Sequence, residues 1–448
     1  MSFYADKQTL EDLNILGKYK PGSIFSLFNK VQTMGAGNML SSMFQHPLTC
    51  PVAINERTAI FQYFGEQSLS LPFDQQLLSI MEGYLHNKNK GNLLLSGFAV
   101  ARKYVLSESV RDEAYPDLLS GIKATQSVIE SCMVLITRMT RPVAGDAYSE
   151  EFHRVENLLK DLSAAGLNTR NTRRLSLFRA IRLDYLLRHQ LHASLSTLLQ
   201  LIYHLDVCIA VSAVARSRGL CYPRALTKEK NFMRASQLKH LQVEHAIGNP
   251  VSFYSGNNVM FLTGANMAGK STLMKAFGTS VYLAHMGFPI DAEEMVFSVK
   301  DGIYSSINVP DSLSQGLSHF YAEVLRVKTV AQGVSSGKDL YVIFDELFKG
   351  TNVKDAYDAT LQVTEAFANY QNCFFIISTH IIEVGEALKQ CSGTTRFVFL
   401  PTKMVGTIPS YTYQLQEGIT EDRQGMIIIE NEGILNMLNN ELKPINND

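Results

Sequence analysis

"VMFLTGANMAGKST", residues 259–272, runs from four apolar residues into a glycine-bounded turn that ends in a lysine and two hydroxyls. The apolar run reads as a buried strand, and the turn satisfies G-x-x-x-x-G-K-[ST] at Gly264, Gly269, Lys270 and Ser271. Glycines at those positions let backbone N–H groups turn toward a phosphate chain. A helix starting behind them aims its positive end at the same point. Gly264, Ala265, Asn266, Met267, Ala268, Gly269, Lys270, Ser271 and Thr272 are therefore the candidate cradle for the phosphates of ATP. Lys270 is expected to reach the β- and γ-phosphates, and the Ser271 hydroxyl to ligate Mg²⁺. A chance match would not explain the strand before the motif and the helical pattern after it.

Working outward, two further apolar runs end in groups of the same chemistry. "LYVIFDE", 340–346, closes on Asp345, a candidate magnesium ligand, and Glu346, placed to activate an attacking water. "FFIISTH", 374–380, closes on Ser378, Thr379 and His380, the last able to sense or hydrogen-bond a γ-phosphate. Alone, the acidic pair would be an ordinary solvent-facing strand end and the histidine a structural one. As a set of three strand ends they become a site. Short buried strands alternating with helical segments predict an α/β domain with a mostly parallel sheet over residues 236–448.

Residues 1–235 have a different texture. Between Gly166 and Gly219 there is neither glycine nor proline, and Leu191, Leu195, Leu198, Leu199, Ile202 and Leu205 recur at helical spacing. If most of this stretch is one helix of about 40 residues, it spans on the order of 60 Å, a strut more than a bundle element. "GIKATQSVIESCMVLITRMT" precedes it as a second helical run, and "YPRA" at 222–225 ends this half. The expectation is an all-α core and lever domain ahead of the P-loop domain.

At 448 residues with 46% hydrophobic and 19% charged residues the chain has the composition of a soluble globular protein of two or three domains. A net charge of −1 gives no global attraction to nucleic acid, so any such binding falls to local patches. Six scattered cysteines with no C-x-x-C pair fit neither a disulfide framework nor a zinc site, and point to a reducing compartment. No signal-peptide pattern opens the chain, and no uninterrupted apolar run approaches membrane-spanning length. The expected location is cytoplasmic.

These motifs resemble the ATPase domain of the MutS family of DNA mismatch-repair proteins. That family's P-loop reads TGPNMAGKST, from which residues 263–272 differ only at Ala265. "DELFKGTNVKD" is similar to the family's DELGRGTS-x-x-D, with Phe348 and Lys349 in place of Gly-Arg. Thr379 and His380 match its Thr-His. Gly316, Ser318, Phe320 and Glu323 match G-x-S-x-F-x-x-E, whose serine approaches ATP bound by the opposite subunit. The resemblance thus implies a homodimer with composite sites completed in trans by Ser318. "YQLQEGIT" resembles the segment closing the family's domain, where Tyr413 takes the place of a nucleotide-contacting histidine. The aromatic expected for adenine stacking is Ala246 here. Upstream, Thr33, Gly35 or Gly37, Leu40, Phe44, Pro47 and Leu48 are similar to the start of the family's helical core, with Asn38 for an arginine.

Family members that read mismatches carry a preceding domain with a Phe-x-Glu wedge, then a connector. The core-like pattern begins almost at Met1, so mismatch reading is not expected, and "FGE" at 64–66 lies inside the core-like region. Double-stranded or branched DNA remains a candidate partner. Arg170, Arg173 and Arg174 are candidate phosphate contacts in a stretch that also holds Arg179, Arg182 and Arg188 against Asp184. "KEKNFMRASQLKH" from 228 is a weaker basic patch. The bland reading of both is a solvated face paired with acidic neighbours. Two functions accommodate these features: a DNA-associated MutS-like ATPase that moves its levers, or an ATP-gated scaffold for a protein partner that uses no nucleic acid. A small-molecule kinase leaves the serine signature and the lever-like helices without a role.

Overall fold

A computed structural model describes residues 2–17, 22–67, 69–72, 74–86, 93–167, 175–307, 319–391, 393–405, 408–420, 433–434 and 437–438. Contacts divide the chain into two units. One comprises Met1–Leu27, Phe44–Thr58 and Arg218–Asp448, the other Phe28–Met43 and Ala59–Ser217. This corrects the expected division at residue 235. That residue lies within a strand paired on both sides, and the first residues of the chain belong with the sheet rather than with the helices.

The strands are, in chain order, β1 (Tyr4–Ala5), β2 (Arg224–Leu226), β3 (Phe232–Leu238), β4 (Asn249–Tyr254), β5 (Val259–Gly264), β6 (Glu294–Ser298) and β7 (Gly302–Ser306). They continue with β8 (Leu340–Phe344), β9 (Phe374–Ser378), β10 (Thr395–Leu400), β11 (Thr402–Val405), β12 (Ile408–Tyr411) and β13 (Gln416–Glu417). Seven form one sheet in the order β1-β7-β8-β9-β5-β10-β13. Every neighbouring pair is parallel except β10 with β13. Helices on its faces bury β5, β7, β8 and β9 along their whole length, which is why these strands read as continuous apolar runs without alternation. A second sheet, β2-β6-β3-β4, packs aromatic side chains against the first unit's core, where Phe253 stacks on Phe374 and meets Phe277.

The N-terminal segment is tied to one sheet edge by β1 and by buried polar contacts. Asp6 caps the helix Lys7–Asp12 through the Thr9 N–H at 2.9 Å and forms an ion pair with the buried Arg326. Asp12 accepts from the Ser305 hydroxyl at 2.7 Å and from the Ile307 N–H at 3.0 Å. Burial alone would raise the Asp6 carboxyl, but the hydrogen bonds from Arg326 and Thr9 outweigh it and hold the group below its usual range.

In the other unit the regular elements among the described residues are all helices. Its helices include Gln75–His86, Leu93–Val110, Ala114–Arg138 and Ser149–Leu162. The expected strut of about 40 residues is interrupted. Helix Leu177–Tyr185 widens into a π-turn at Leu186–Gln190, and Leu191 leaves helical geometry before His192–Arg218 begins. The interruption coincides with a buried ion pair, Asp184 to Arg188 at 2.9 Å, whose carboxylate also accepts from the Tyr84 hydroxyl at 2.9 Å. Within His192–Arg218 the leucines do form one inward face, since Leu195, Leu198, Leu199, Ile202 and Leu205 are all buried. By length and composition this helix is apolar enough to cross a membrane, contrary to the sequence reading, but 67% of its most apolar window is buried in the protein. Of the two glycines at 35 and 37, Gly35 is the constrained one. A Cβ there would fall 2.4 Å from the Tyr203 ring, whereas Gly37 has room.

Candidate nucleotide site

The three predicted strand ends are brought together because β8, β9 and β5 are consecutive in the sheet. Their C-terminal ends lie side by side at one edge of the sheet, the usual side for a ligand in an open parallel sheet. Helix Lys270–His285 starts at Gly269 directly behind the β5 turn. Gly264 and Gly269 have φ of 148° and 102°, in the region that favours glycine. A Cβ on Gly264 would also press on the Leu400 carbonyl at 3.2 Å, and one on Gly269 on the Tyr413 ring at 3.1 Å. Tyr413 therefore lies against the phosphate loop. It is held there by Asn249, which donates to the Tyr413 carbonyl at 2.9 Å and accepts from the Leu415 N–H at 2.6 Å.

Lys270 is buried, and its ammonium donates to the Gly264 and Ala265 carbonyls at 2.8 and 3.1 Å. Burial pulls its pKa below the usual lysine value, against the opposing pull of Glu346 and Asp345. The Ser271 hydroxyl donates to the Asp345 carboxylate. Two hard oxygen donors in contact beside the phosphate loop fit a magnesium ion, which such sites hold with few protein ligands plus the phosphates themselves. Among the described residues no group of three or more His, Cys, Asp or Glu side chains could hold a metal without such help.

Ser378, to which no role fell in the sequence reading, joins the two acidic residues. Its Oγ donates to Asp345 Oδ1 at 2.6 Å and accepts from the Glu346 N–H at 3.1 Å. His380 Nε2 lies 2.5 Å from Glu346 Oε1. An ionised carboxylate only accepts, so the imidazole N–H is the donor in that state. This hydrogen bond, outweighing burial, holds the Glu346 carboxyl below its usual range. The site thus keeps one carboxylate against a hydroxyl ligand and the next ionised and aimed by a histidine.

Beyond these residues the expectations divide. Ser318 and Gly316 lie outside the described residues, but Phe320 and Glu323 of the same signature meet the acidic loop, Glu323 accepting from the Gly350 N–H at 3.3 Å. Arg170, Arg173 and Arg174 also lie outside the described residues. Arg188, counted with them in sequence, is spent internally on Asp184. In the weaker basic stretch Lys228 pairs with Asp301 at 2.8 Å and with Asp339 at 3.4 Å. The Phe64 of "FGE" is buried against Tyr63 and Tyr148 and is no exposed wedge.

Residues 260–442 match MutS domain V, a P-loop ATPase domain. The DNA mismatch repair protein spellchecker 1 of Drosophila melanogaster is 26% identical over 242 residues, which cover 52% of this chain. The matched stretch spans only 26% of that relative's own length. The phosphate loop and the acidic strand end lie within the matched residues, so residues 260–442 are similar to the MutS ATPase domain.

Proposed function

We propose that this protein binds and hydrolyses ATP with Mg²⁺ in sites shared by two copies of the chain, and that nucleotide state moves its helical unit on DNA. The observation that carries the reading is the convergence of Lys270, Ser271, Asp345, Glu346 and His380 at three adjacent strand ends. In this reading the backbone of Gly264–Thr272 and the helix behind it bind the phosphates, and Lys270 adds its charge to them. Magnesium held by Ser271 and Asp345 supplies neutralisation of charge on the phosphate oxygens. Glu346, ionised at neutral pH, orients a water in line with the γ-phosphate and accepts its proton, while His380 fixes the carboxylate's direction. Tyr413, exposed on one side beside Gly269, is placed for the nucleoside.

The trans arrangement rests on the signature from Gly316 to Glu323. A lone P-loop face leaves the γ-phosphate open to water, and a hydroxyl from a partner closes it. Mixing a Lys270→Ala chain with a Ser318→Ala chain tests this. Each homodimer should be impaired, and the mixed dimer should recover part of the activity through its one intact site. Heterodimers that form but recover nothing exclude Ser318 as a trans residue. Scattered thiols support a cytoplasmic setting for this machine.

One observation favours a second reading, an ATP-gated protein scaffold. Beside the exposed Arg179 and Arg182, the helical unit exposes Leu94, Phe98 and Phe178 at 72%, 75% and 86% around one groove. A large exposed apolar patch marks protein contact more than phosphate contact. Duplex binding that weakens steeply with salt supports the DNA reading. Its absence, with ATPase activity intact, supports the scaffold.

A further inference from the structure

The loop between Asp345 and Thr351 carries two non-glycine residues in the left-handed region, Glu346 with φ 56° and Phe348 with φ 60°. For a bulky residue such as phenylalanine this is an outlier, one that persists only where its surroundings impose it. The surroundings are specific. On one side, β9 pins the loop's start: the Glu346 N–H donates to Ser378 Oγ at 3.1 Å and the Leu347 N–H to the Ser378 carbonyl at 3.4 Å. On the other, helix His319–Ser335 holds it at two points. The Phe348 ring, 5% exposed, meets the Phe320 ring at a centroid distance of 6.2 Å, and the Gly350 N–H donates to Glu323. Phe320 and Glu323 are three residues apart, hence neighbours on one helix face.

We propose that Phe348 is a positioning residue for ATP hydrolysis, its buried ring anchoring the acidic loop to the Phe320 face of helix His319–Ser335. The physical case is that a non-glycine residue gains nothing from the left-handed conformation itself. Burial of the ring, added to the hydrogen bonds on either side of it, makes that path the favoured one for this sequence. Without the ring the backbone at 348 relaxes toward negative φ, and Glu346, two residues earlier and strained in the same sense, loses its alignment on His380. The anchor also joins the loop to the helix that carries the remainder of the serine signature, so the position of one sets the other. This inference rests on the reading of Glu346 as the residue that activates water.

The test compares wild type, Glu346→Gln, Phe348→Ala, Phe348→Leu, Phe320→Ala and the Phe320→Ala/Phe348→Ala double variant as full chains. Phosphate release at saturating Mg-ATP, the equilibrium affinity for ATP and the thermal midpoint are read for each. Phe348→Ala should lower kcat by about tenfold or more while ATP affinity stays within about twofold, the pattern of an interaction needed only in the transition state. Phe348→Leu, which keeps an apolar anchor, should recover most of the rate. Phe320→Ala should reproduce the defect, and the double variant should fall no further than the worse single, as for two residues acting through one contact. A change in thermal midpoint with kcat intact, or equal losses in affinity and rate, overturns the proposal. If Phe348→Ala does not fold, Phe320→Leu shortens the same contact from the helix side and must show the same split between kcat and affinity. Wild type hydrolysing ATP with Glu346→Gln inactive isolates a failure of this inference from a failure of the site reading. A wild type that does not hydrolyse ATP overturns both.

Discussion

Truncating Ser378 to alanine removes one oxygen on which both acidic residues depend. The side chain is fully buried at the end of β9, where its Oγ donates to Asp345 at 2.6 Å and accepts from the Glu346 N–H at 3.1 Å. Hydrogen bonds to charged groups contribute about 1.5–3 kcal/mol, and a buried donor left without a partner costs about 1–3 kcal/mol. Both bonds share one hydroxyl, so their losses do not simply add, and a destabilisation of about 2–3 kcal/mol is expected. The catalytic effect comes through alignment of Asp345 and Glu346. If the charge-assisted bond is felt in full at the transition state, its loss of about 1.5–3 kcal/mol lowers kcat by roughly ten- to hundredfold. ATP affinity, carried mainly by Gly264–Thr272, should change little. Phosphate release at saturating Mg-ATP, ATP titration by a fluorescent analogue and chemical denaturation give the three quantities separately. Hydrolysis within about twofold of wild type, alongside a lowered denaturation midpoint, would refute the reasoning and leave Ser378 as a residue of the fold alone.

Three further outcomes are expected from the same geometry. His380→Ala removes the hydrogen bond that holds the Glu346 carboxyl low, so the acid limb of the kcat–pH profile should move to higher pH; an unmoved limb means that His380 does not govern this carboxylate. In stability the sign is the same: the interaction contributes above the unfolded carboxyl pKa and is lost as pH falls through the folded one. Arg326→Ala leaves Asp6 facing a buried, unpaired position and should destabilise the sheet unit by about 3 kcal/mol, with part recovered in Asp6→Ala/Arg326→Ala; a double variant no better than the single, by denaturation, would sink this. Lys300 is buried among Asn231, the Asn372 carbonyl, the Phe374 face, His285, Cys373, Lys228, Asp301 and Asp339, and burial pulls its pKa down to about 8. Its folded state therefore binds fewer protons than its unfolded state between about pH 8 and 10.5, so wild type should gain stability relative to Lys300→Met over that window, by an amount on the order of a few kcal/mol. A difference between the two chains that is flat from about pH 7.5 to 10.5 contradicts it.

How much of the fold and site was legible depends on how far each feature reaches along the chain. β5, β8 and β9 announce themselves because burial on both faces removes nearly every polar residue from the strand, and the residues that end them carry the site. The Ser378 bridge was not legible. It depends on β8 and β9 being adjacent and in register, Phe344 beside Ile377, and nothing local encodes that pairing. The edge strand Tyr4–Ala5 is too short for any periodicity, and the Asp6–Arg326 pair that fixes it joins residues 320 apart. Hence the first residues read as part of a helical half although they complete the sheet. The interrupted strut failed for a different reason. A π-turn adds a residue to one turn without removing apolar residues at three- and four-residue steps, so the pattern continues through the break. Only Asp184 and Arg188, four apart and both buried, mark the place, and in sequence they pass for a solvent-facing pair.

Phe348 shows the limit most clearly. Composition says only that a large apolar residue stands in a loop beside two carboxylates, which reads equally as surface decoration or as an anchor. What decides between them is the sign of one backbone angle and the presence of Phe320 across from it, and both are properties of the folded chain. A residue that breaks a local preference and is buried for doing so is held by its neighbours. That is why its removal should be felt at Glu346, two residues away, before it is felt in the core.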